Sequence, residues 1–533
     1  MKIDDAIGIS LKNIARHGDT DVFPFPLEKL VFHDRYEDCK KLLIGMHAKF
    51  DEYIARFPPN TLETLTQVGY TGFRWATQIE PFWNAYYLAL AVTLAQKIED
   101  QRVSVNDASV YSYRYSWNAV DAKLFSDSSW KDFRQRSFEL SGEYKYVVVT
   151  DIADFYPRIY HHRLENALAR LPSAGDIPKR IMTLLGYFSK NVSYGLPVGG
   201  PASRILSELC LDSTDKMLLR NRVKFCRYAD DYTIFCNDKT DAYRVLVRLS
   251  ESLFNEGLVL QKTKTKIMTS EEFRSAAKLL DPKDTKDPLA SDEQKLLNIT
   301  LRYDPYSETA DDDYEALKTA MTDVDIVGIL GREVAKTNID STVTKQAIKA
   351  IQALDSHKQF GAISTLLNEN NLEVLAPVFV TVMRAVRSVY DSLPDLGKQF
   401  VDKKLIALYE DDSHLLSVDL NMSFYLQALA QNQSARKEEI LIEVYDRKTN
   451  PLIKRLILIA MSNWNCHYWL TDLKRKYAGL SDWEKRYFIG SSYVLGDEGK
   501  HWRNHTRATW SPMDELTRNW FADRIQKERW LPL

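Results

Sequence analysis

Arg227-Tyr228-Ala229-Asp230-Asp231-Tyr232 lies between two short runs of strand-forming residues, Phe225 to Ala229 and Tyr232 to Cys236. Only Asp230-Asp231 separates the runs, which predicts a tight hairpin carrying two acids at its tip. Roughly 80 residues upstream, Tyr146-Val147-Val148-Val149-Thr150 is a continuous apolar run of strand length that ends on Asp151. Such a run predicts a central strand covered on both faces. Strand ends and tight turns project side chains from a rigid base, and carboxylates gathered there repel one another unless divalent cations neutralise them. The pattern therefore predicts a Mg²⁺ site, also open to Mn²⁺, held by Asp151 and Asp230 with Asp231 in support. Two hard cations so placed suit in-line attack of a hydroxyl on a phosphoryl group. Taken singly, Asp230-Asp231 reads as a solvated turn and Asp151 as a helix cap; the ordered combination favours chemistry.

Composition sets the wider bounds. A chain of 533 residues implies roughly two to four domains. Its 45% hydrophobic, 11% aromatic and 27% charged residues exclude disordered and fibrous classes. With 71 Lys+Arg against 73 Asp+Glu, any nucleic-acid contact must come from a local basic surface. Cys39, Cys210, Cys226, Cys236 and Cys466 form no C-x-x-C pair, which points to a reducing compartment. The acidic start, Met1-Lys2-Ile3-Asp4-Asp5, is unlike a signal peptide, and the longest apolar stretch, Tyr86 to Ala95, is too short to span a bilayer. A cytoplasmic protein with no membrane partner is expected.

Four segments follow from the pattern. Residues 1–145 hold an extended lead-in around Phe23-Pro24-Phe25-Pro26, a turn at Gly69 to Arg74 and a buried helix from Glu80 to Ile98 with Pro81 in its first turn. Residues 146–275 mix β-branched runs with helical stretches. The stretch 276–313, with Asp281-Pro282-Lys283-Asp284 and Asp311-Asp312-Asp313, reads as a charged linker or a thumb remnant. From 314 to 533 amphipathic helices follow one another, for example Thr344 to Leu354, Val374 to Leu393, Phe400 to Tyr409 and Pro451 to Met461, and suggest a HEAT-like helical repeat.

Tyr228-Ala229-Asp230-Asp231 resembles the Y-x-D-D signature of reverse transcriptases, and Asp151 with Phe155-Tyr156-Pro157 resembles their first catalytic motif. Between them, Gly195-Leu196-Pro197-Val198-Gly199-Gly200-Pro201-Ala202-Ser203 is similar to the family's glycine-rich loop. After them, Gly257-Leu258-Val259-Leu260 leading to Lys264-Thr265-Lys266 resembles the fourth palm motif. The resemblance implies an α+β fold: right-hand polymerase fingers and palm, with an antiparallel palm sheet, followed here by the all-α HEAT-like domain. It implies DNA synthesis from dNTPs, with Asp151, Asp230 and Asp231 catalytic and the same acids plus Ile152 forming the metal set. Arg74, Tyr156, Gly199, Gly200 and Lys264 would bind nucleotide, Tyr156 as a steric gate against the 2′-hydroxyl and Lys264 near the leaving pyrophosphate. Arg114, Pro197 and Ser203 would contact nucleic acid.

Common reverse transcriptases read Leu-Pro-Gln-Gly in the loop, whereas this chain has Val198 where that glutamine would stand. With the long helical second half, this resembles bacterial abortive-infection and defence-associated reverse transcriptases. That likeness implies antiphage defence, a homo-oligomer, a DNA product, and synthesis that is template-independent, protein-primed or copied from a non-coding RNA. A conventional templated enzyme of a mobile element or non-coding RNA system is the alternative, and an inactive nucleic-acid-binding scaffold a weaker one. Among the later cations, Arg384, Arg387, Lys454, Arg455, Lys474, Arg475 and Lys476 read mainly as solvated helix faces, and Trp464, Trp469, Trp483 and Trp502 as core or subunit interface.

Overall fold

Valine and threonine crowd residues 146–151, and β-branched side chains suit a pleated surface better than a helix. The computed structural model describes residues 1–126, 130–278, 292, 296 and 324–526, and places a strand there in the middle of a sheet. The chain divides into two compact units. One holds Met1–Glu63, Ala76–Leu280 and Trp510–Trp520; the other holds Thr64–Trp75, Asp281–Thr509 and Phe521–Leu533.

In chain order the first half runs α1 (Ile3–His17), α2 (Glu28–Asp34), α3 (Tyr36–Ala48), α4 (Phe50–Arg56), β1 (Thr61–Val68), β2 (Gly72–Ile79) and α5 (Pro81–Gln101). Then come β3 (Tyr115–Asn118), β4 (Lys123–Phe125), α6 (Trp130–Ser141), β5 (Tyr146–Asp151), α7 (Phe155–Arg158), α8 (His161–Ala169), α9 (Ile177–Phe188) and α10 (Pro201–Arg220). They are followed by β6 (Lys224–Tyr228), β7 (Asp231–Cys236), α11 (Lys239–Asn255), β8 (Lys266–Thr269) and α12 (Ser270–Lys278). The last four strands make one antiparallel sheet in the order β6-β7-β5-β8.

Two layers bury this sheet. Phe133 and Leu140 of α6 cluster with Val147, Cys226 and Phe235 on one face, while α11 packs on β5 and β7 and α10 on β6. Val147 and Val148, on opposite faces of β5, are both fully buried, as a strand between two neighbours and two layers must be. Helix α5 is apolar almost all round and packs against α1, α9 and α10. The Glu80 carboxylate accepts from the Trp83 amide at 2.9 Å and caps its start, with Pro81 in the first turn as expected.

The extended segment expected around Phe23 to Pro26 lies in a non-helical stretch, residues 18–27, between α1 and α2; around it the opening forms α1 to α4, with Ala6, Ile7, Leu11 and Ile14 on the buried stripe of α1. One expectation is corrected. The turn expected at Gly69 to Arg74 ends earlier, because Gly72, Phe73 and Arg74 already belong to β2.

The second unit is helical among its described residues, apart from the tip of the β1–β2 hairpin. Helices Phe379–Val389, Asp419–Leu429, Pro451–Asn463 and Asp482–Ser491 pack each on the next, skipping one helix in sequence each time. Asp395–Glu410 packs on Ala435–Arg447, again skipping one helix, and on Ser356–Leu366, skipping two. Side-chain caps recur at the starts, from Asp340, Asp355, Ser434, Asn450 and Ser481. The charged stretch 276–313 lies outside the described residues from 279 onward, except for 292 and 296. Among the described residues no helix is long and apolar enough to cross a membrane.

Candidate active site

β7 starts at Asp231, one residue earlier than the hairpin reading placed it, so the turn is Ala229-Asp230 and not Asp230-Asp231. Ala229 takes φ +52°, the left-handed conformation that a two-residue hairpin of right-handed twist requires. Asp231 then faces Asp151 directly across the β5–β7 ladder, and the Ile152 amide donates to the Asp230 carbonyl at 3.1 Å. Three carboxylates thus share the end of two paired strands. The end of β5 is held from its other side as well: the Gln261 amide donates to the Asp151 carbonyl at 2.7 Å and the Ala153 amide to Val259 at 2.9 Å. Gly257, which opens that segment, has φ +79°, and a Cβ there would stand 2.2 Å from the Tyr160 ring. Only glycine fits.

Crowding sets the charge of the cluster. Burial, then the charges of Asp151 and Asp231, push the Asp230 carboxyl up to about 7. Burial and Asp151 push Asp231 to about 6, against the pull of Lys264. Burial works to lower Lys264, but its hydrogen bond and charge contact with Asp151 win, and its ammonium pairs with the Asp151 carboxylate. Among the described residues no three His, Cys, Asp or Glu side chains are already closed around a metal position. The donor chemistry nevertheless fits a hard divalent cation: three oxygen-only side chains, with no thiol or imidazole, whose mutual repulsion a cation would relieve.

The glycine-rich loop is carried to the same end of the sheet. The Leu196 amide donates to the Tyr156 carbonyl at 2.9 Å and the Gly195 amide to Ile159 at 2.8 Å. Gly199 has φ +103°, and a Cβ there would meet Thr20 Oγ1 at 2.5 Å. Gly200 precedes α10 and Pro201 opens it. The Tyr156 ring lies against Phe155, and burial, then neighbouring Tyr113, raises its hydroxyl well above the usual range. Arg204, which the sequence reading passed over, stacks on Tyr113 and pairs with Asp21 at 2.6 Å.

Several expected contacts fall away. Arg114 is buried, and its guanidinium is engaged by Glu99 at 2.9 Å and by the carbonyls of Val110 and Val103, so it has no face to offer nucleic acid. Ser203 is 1% exposed and Pro197 is buried, which removes both from a nucleic-acid surface. Arg74 is exposed on β2 and belongs to the second unit, where its charge helps to lower Lys345; it is not part of the acid cluster's unit. Ile152 is 1% exposed, so what it can offer the cluster is its backbone.

Behind the turn lies a network that the sequence reading missed. Arg227 is fully buried, with Nε 2.9 Å from Asp215 Oδ1, Nη2 2.8 Å from Glu208 Oε2, and Nη1 2.8 Å from the Ala229 carbonyl. Glu208 also accepts from Arg102 and from Ser112, the latter at 2.5 Å, and Asp215 from the Tyr232 hydroxyl at 3.2 Å. One signal was available: Glu208 and Asp215, seven residues apart and therefore on one helix face, interrupt an otherwise apolar stripe of α10.

With this geometry in place, the comparisons define a class. Residues 86–301 match the family model described as "Reverse transcriptase (RNA-dependent DNA polymerase)". The chain therefore carries a reverse transcriptase domain and is an RNA-directed DNA polymerase, a DNA nucleotidyltransferase. It matches no curated protein. Similar solved structures include telomerase from Candida albicans with a fragment of telomeric RNA, at 10% identity and TM-score 0.31, covering 66% of this chain and 67% of that one. Another is apo telomerase from Candida tropicalis, at 11% identity and TM-score 0.27, covering 66% and 72%.

Proposed function

We propose that this reverse transcriptase synthesises DNA by two-metal nucleotidyl transfer at Asp151, Asp230 and Asp231, and that it serves antiphage defence. The observation that carries the catalytic reading is the convergence of the three carboxylates at the shared end of β5 and β7, inside the matched segment. Mg²⁺ bound there would activate the attacking hydroxyl and offset the charge of the leaving pyrophosphate. Asp151 and Asp230 would hold the cations and Asp231 support them, with the Ile152 backbone beside them. Lys264, tethered to Asp151, stands ready to place its ammonium against a phosphate once the carboxylate is otherwise engaged. Tyr156 forms the floor that a 2′-hydroxyl would strike. Gly199 and Gly200 let the backbone approach the nucleotide at the entry to α10.

The defence role rests on the likeness noted above, chiefly Val198 and the long helical second half. Alternate-helix packing supports reading 314–533 as a HEAT-like repeat, beside fingers within 1–145, a palm over 146–275 and a linker over 276–313. A homo-oligomer and an RNA template complete the proposal, in the reducing cytoplasm that the cysteines suggest. All five cysteines are free thiols.

The test is labelled-dNTP incorporation by purified protein with Mg²⁺ and no added nucleic acid, resolved on a denaturing gel before and after protease and nuclease, with Asp230→Ala as control. Product that shifts with protease supports self-primed synthesis. Product that appears only with template and annealed primer supports the conventional enzyme. Wild-type incorporation by Asp230→Ala would refute the site.

A further inference from the structure

A guanidinium is expensive to bury, and Arg227 has no exposed surface at all. Its charge is matched locally. Arg227 and Arg102 stand against Glu208 and Asp215, so the core beneath the turn holds two positive and two negative groups in contact. Neutral packing of the same volume would be at least as stable in general, so the network invites a reason beyond stability.

The reason lies in where it ends. The Arg227 backbone is fixed first: its amide donates to the Ser109 carbonyl at 2.7 Å, and its carbonyl accepts from the Tyr111 amide at 3.0 Å. Its side chain is then clamped on two carboxylates, with Nη2 also 2.6 Å from Asp215 Oδ2. The remaining nitrogen, Nη1, reaches past Tyr228 to the Ala229 carbonyl at 2.8 Å. That carbonyl belongs to the peptide that enters Asp230. The carbonyl of the peptide that leaves Asp230 is held by the Ile152 amide at 3.1 Å. Asp230 therefore sits between two held peptide planes, one fixed by a strand amide and the other by a side chain. Ala229, at φ +52°, is the strained residue of the pair of turn positions and the one whose peptide would relax first.

We propose that Arg227 is a positioning residue for the polymerase reaction: braced on Glu208 and Asp215, it fixes the Ala229–Asp230 peptide and thereby aims the Asp230 carboxylate. The inference rests on the proposed role of Asp230. It makes the interior of α10 part of the active-site machinery, although neither Glu208 nor Asp215 faces the substrate side. A misplacement of about 1 Å at a reacting centre costs on the order of 100-fold in rate, so a single hydrogen bond at this position is enough to matter.

Arg227→Met alone would leave the buried Asp215 carboxylate without its ion pair, so the test uses the neutral pair Arg227→Met/Asp215→Asn, in which Glu208 keeps Arg102, together with Arg227→Lys. Each is compared with wild type in melting temperature, in kcat and KM for dNTP, and in Mn²⁺ binding followed by electron paramagnetic resonance without substrate. Both variants are expected to melt cooperatively. Their kcat should fall roughly 10- to 100-fold while KM changes less than about twofold, and Mn²⁺ binding should weaken. A purely structural role would lower the melting temperature and leave kcat and Mn²⁺ affinity of the folded fraction unchanged, which overturns the proposal. If the pair does not fold, Arg227→Lys decides: wild-type kcat there overturns it too. Asp230→Asn run in parallel separates the two claims, because wild-type incorporation by that variant refutes the site itself, whatever Arg227 does.

Discussion

Asp151 and Asp231 are opposed partners in the β5–β7 ladder, the last residue of one strand facing the first residue of the other. Like charges directly opposite one another destabilise a sheet, and Asp230 adds a third from the adjoining turn. A fold that accepts this arrangement stores electrostatic strain at one end of a strand in the interior of its sheet. That strain, and the geometry around it, can be tested in four ways.

The first concerns pH. Asp230 is pushed to about 7 and Asp231 to about 6, both above their unfolded values. Between the unfolded and folded values the native state binds more protons than the unfolded chain, so stability must fall as pH rises through that window. In EDTA, the melting temperature is expected to drop between about pH 4 and pH 7 and then level off, as far as this cluster governs it. The cost is of the order of a few kcal/mol. Mg²⁺ should restore stability at pH 8 far more than at pH 5. Thermal denaturation across pH, with and without Mg²⁺, checks this, and a metal-free protein that gains stability from pH 5 to pH 7 would contradict it.

Lys264 gives a second test. Its ammonium pulls Asp231 down against burial and Asp151, so Lys264→Met should let Asp231 titrate at higher pH. The acid limb of the pH–rate profile is expected to move upward relative to wild type. An unmoved limb would mean that Lys264 does not act on the acids in the working enzyme.

Gly257 is a backbone test. Its φ of +79°, with the Tyr160 ring 2.2 Å from where a Cβ would stand, leaves no room for a side chain. Gly257→Ala is expected to cost about 1–3 kcal/mol, measured by chemical denaturation. Tyr160→Ala in the same chain should recover the steric part and leave the conformational part.

Tyr156 separates a gate from a core residue. Its hydroxyl is buried with its pKa raised by desolvation, so Tyr156→Phe should keep both fold and sugar discrimination, the ring being what excludes the 2′-hydroxyl. Tyr156→Ala should raise ribonucleotide incorporation relative to deoxynucleotide. Single-nucleotide incorporation assays on both variants read this, and an unchanged ratio for the alanine variant removes the gate role.

Local signals carried the legible part of this structure. The valine run of β5, the Gly-Gly-Pro entry to α10 and the Pro81 start of α5 each announce themselves within a few residues, and each forms as read. The sequence alone places the hairpin turn one residue late, because a left-handed alanine is not a usual turn signal and Ala229 reads as strand. What an arginine does, by contrast, depends on partners far away in sequence. Arg74 and Arg114 are both expected at phosphates or nucleic acid; Arg114 is buried on Glu99 and two carbonyls, and Arg74 is exposed on a hairpin. The same long range hid Arg227, whose meaning appears only when α10 brings Glu208 and Asp215 beneath it. The helices α1 to α4 escape the sequence for a simpler reason: the apolar runs of residues 1–60 are short and mixed, and they announce no clear period around the proline segment.

The strand order β6-β7-β5-β8 also has a bearing on how the chain is born. β5 is made first, yet both of its neighbours are encoded later, β7 from Asp231 and β8 from Lys266. Contacts of such long sequence separation form late, because loop closure must precede them. On the ribosome the valine-rich strand therefore waits without a partner while α7 to α10 emerge, and the acids at its end meet only when the nascent chain has passed residue 231. A truncated polypeptide released before that point would expose an aggregation-prone strand and lack the assembled acid cluster, so incomplete translation products of this enzyme should be insoluble.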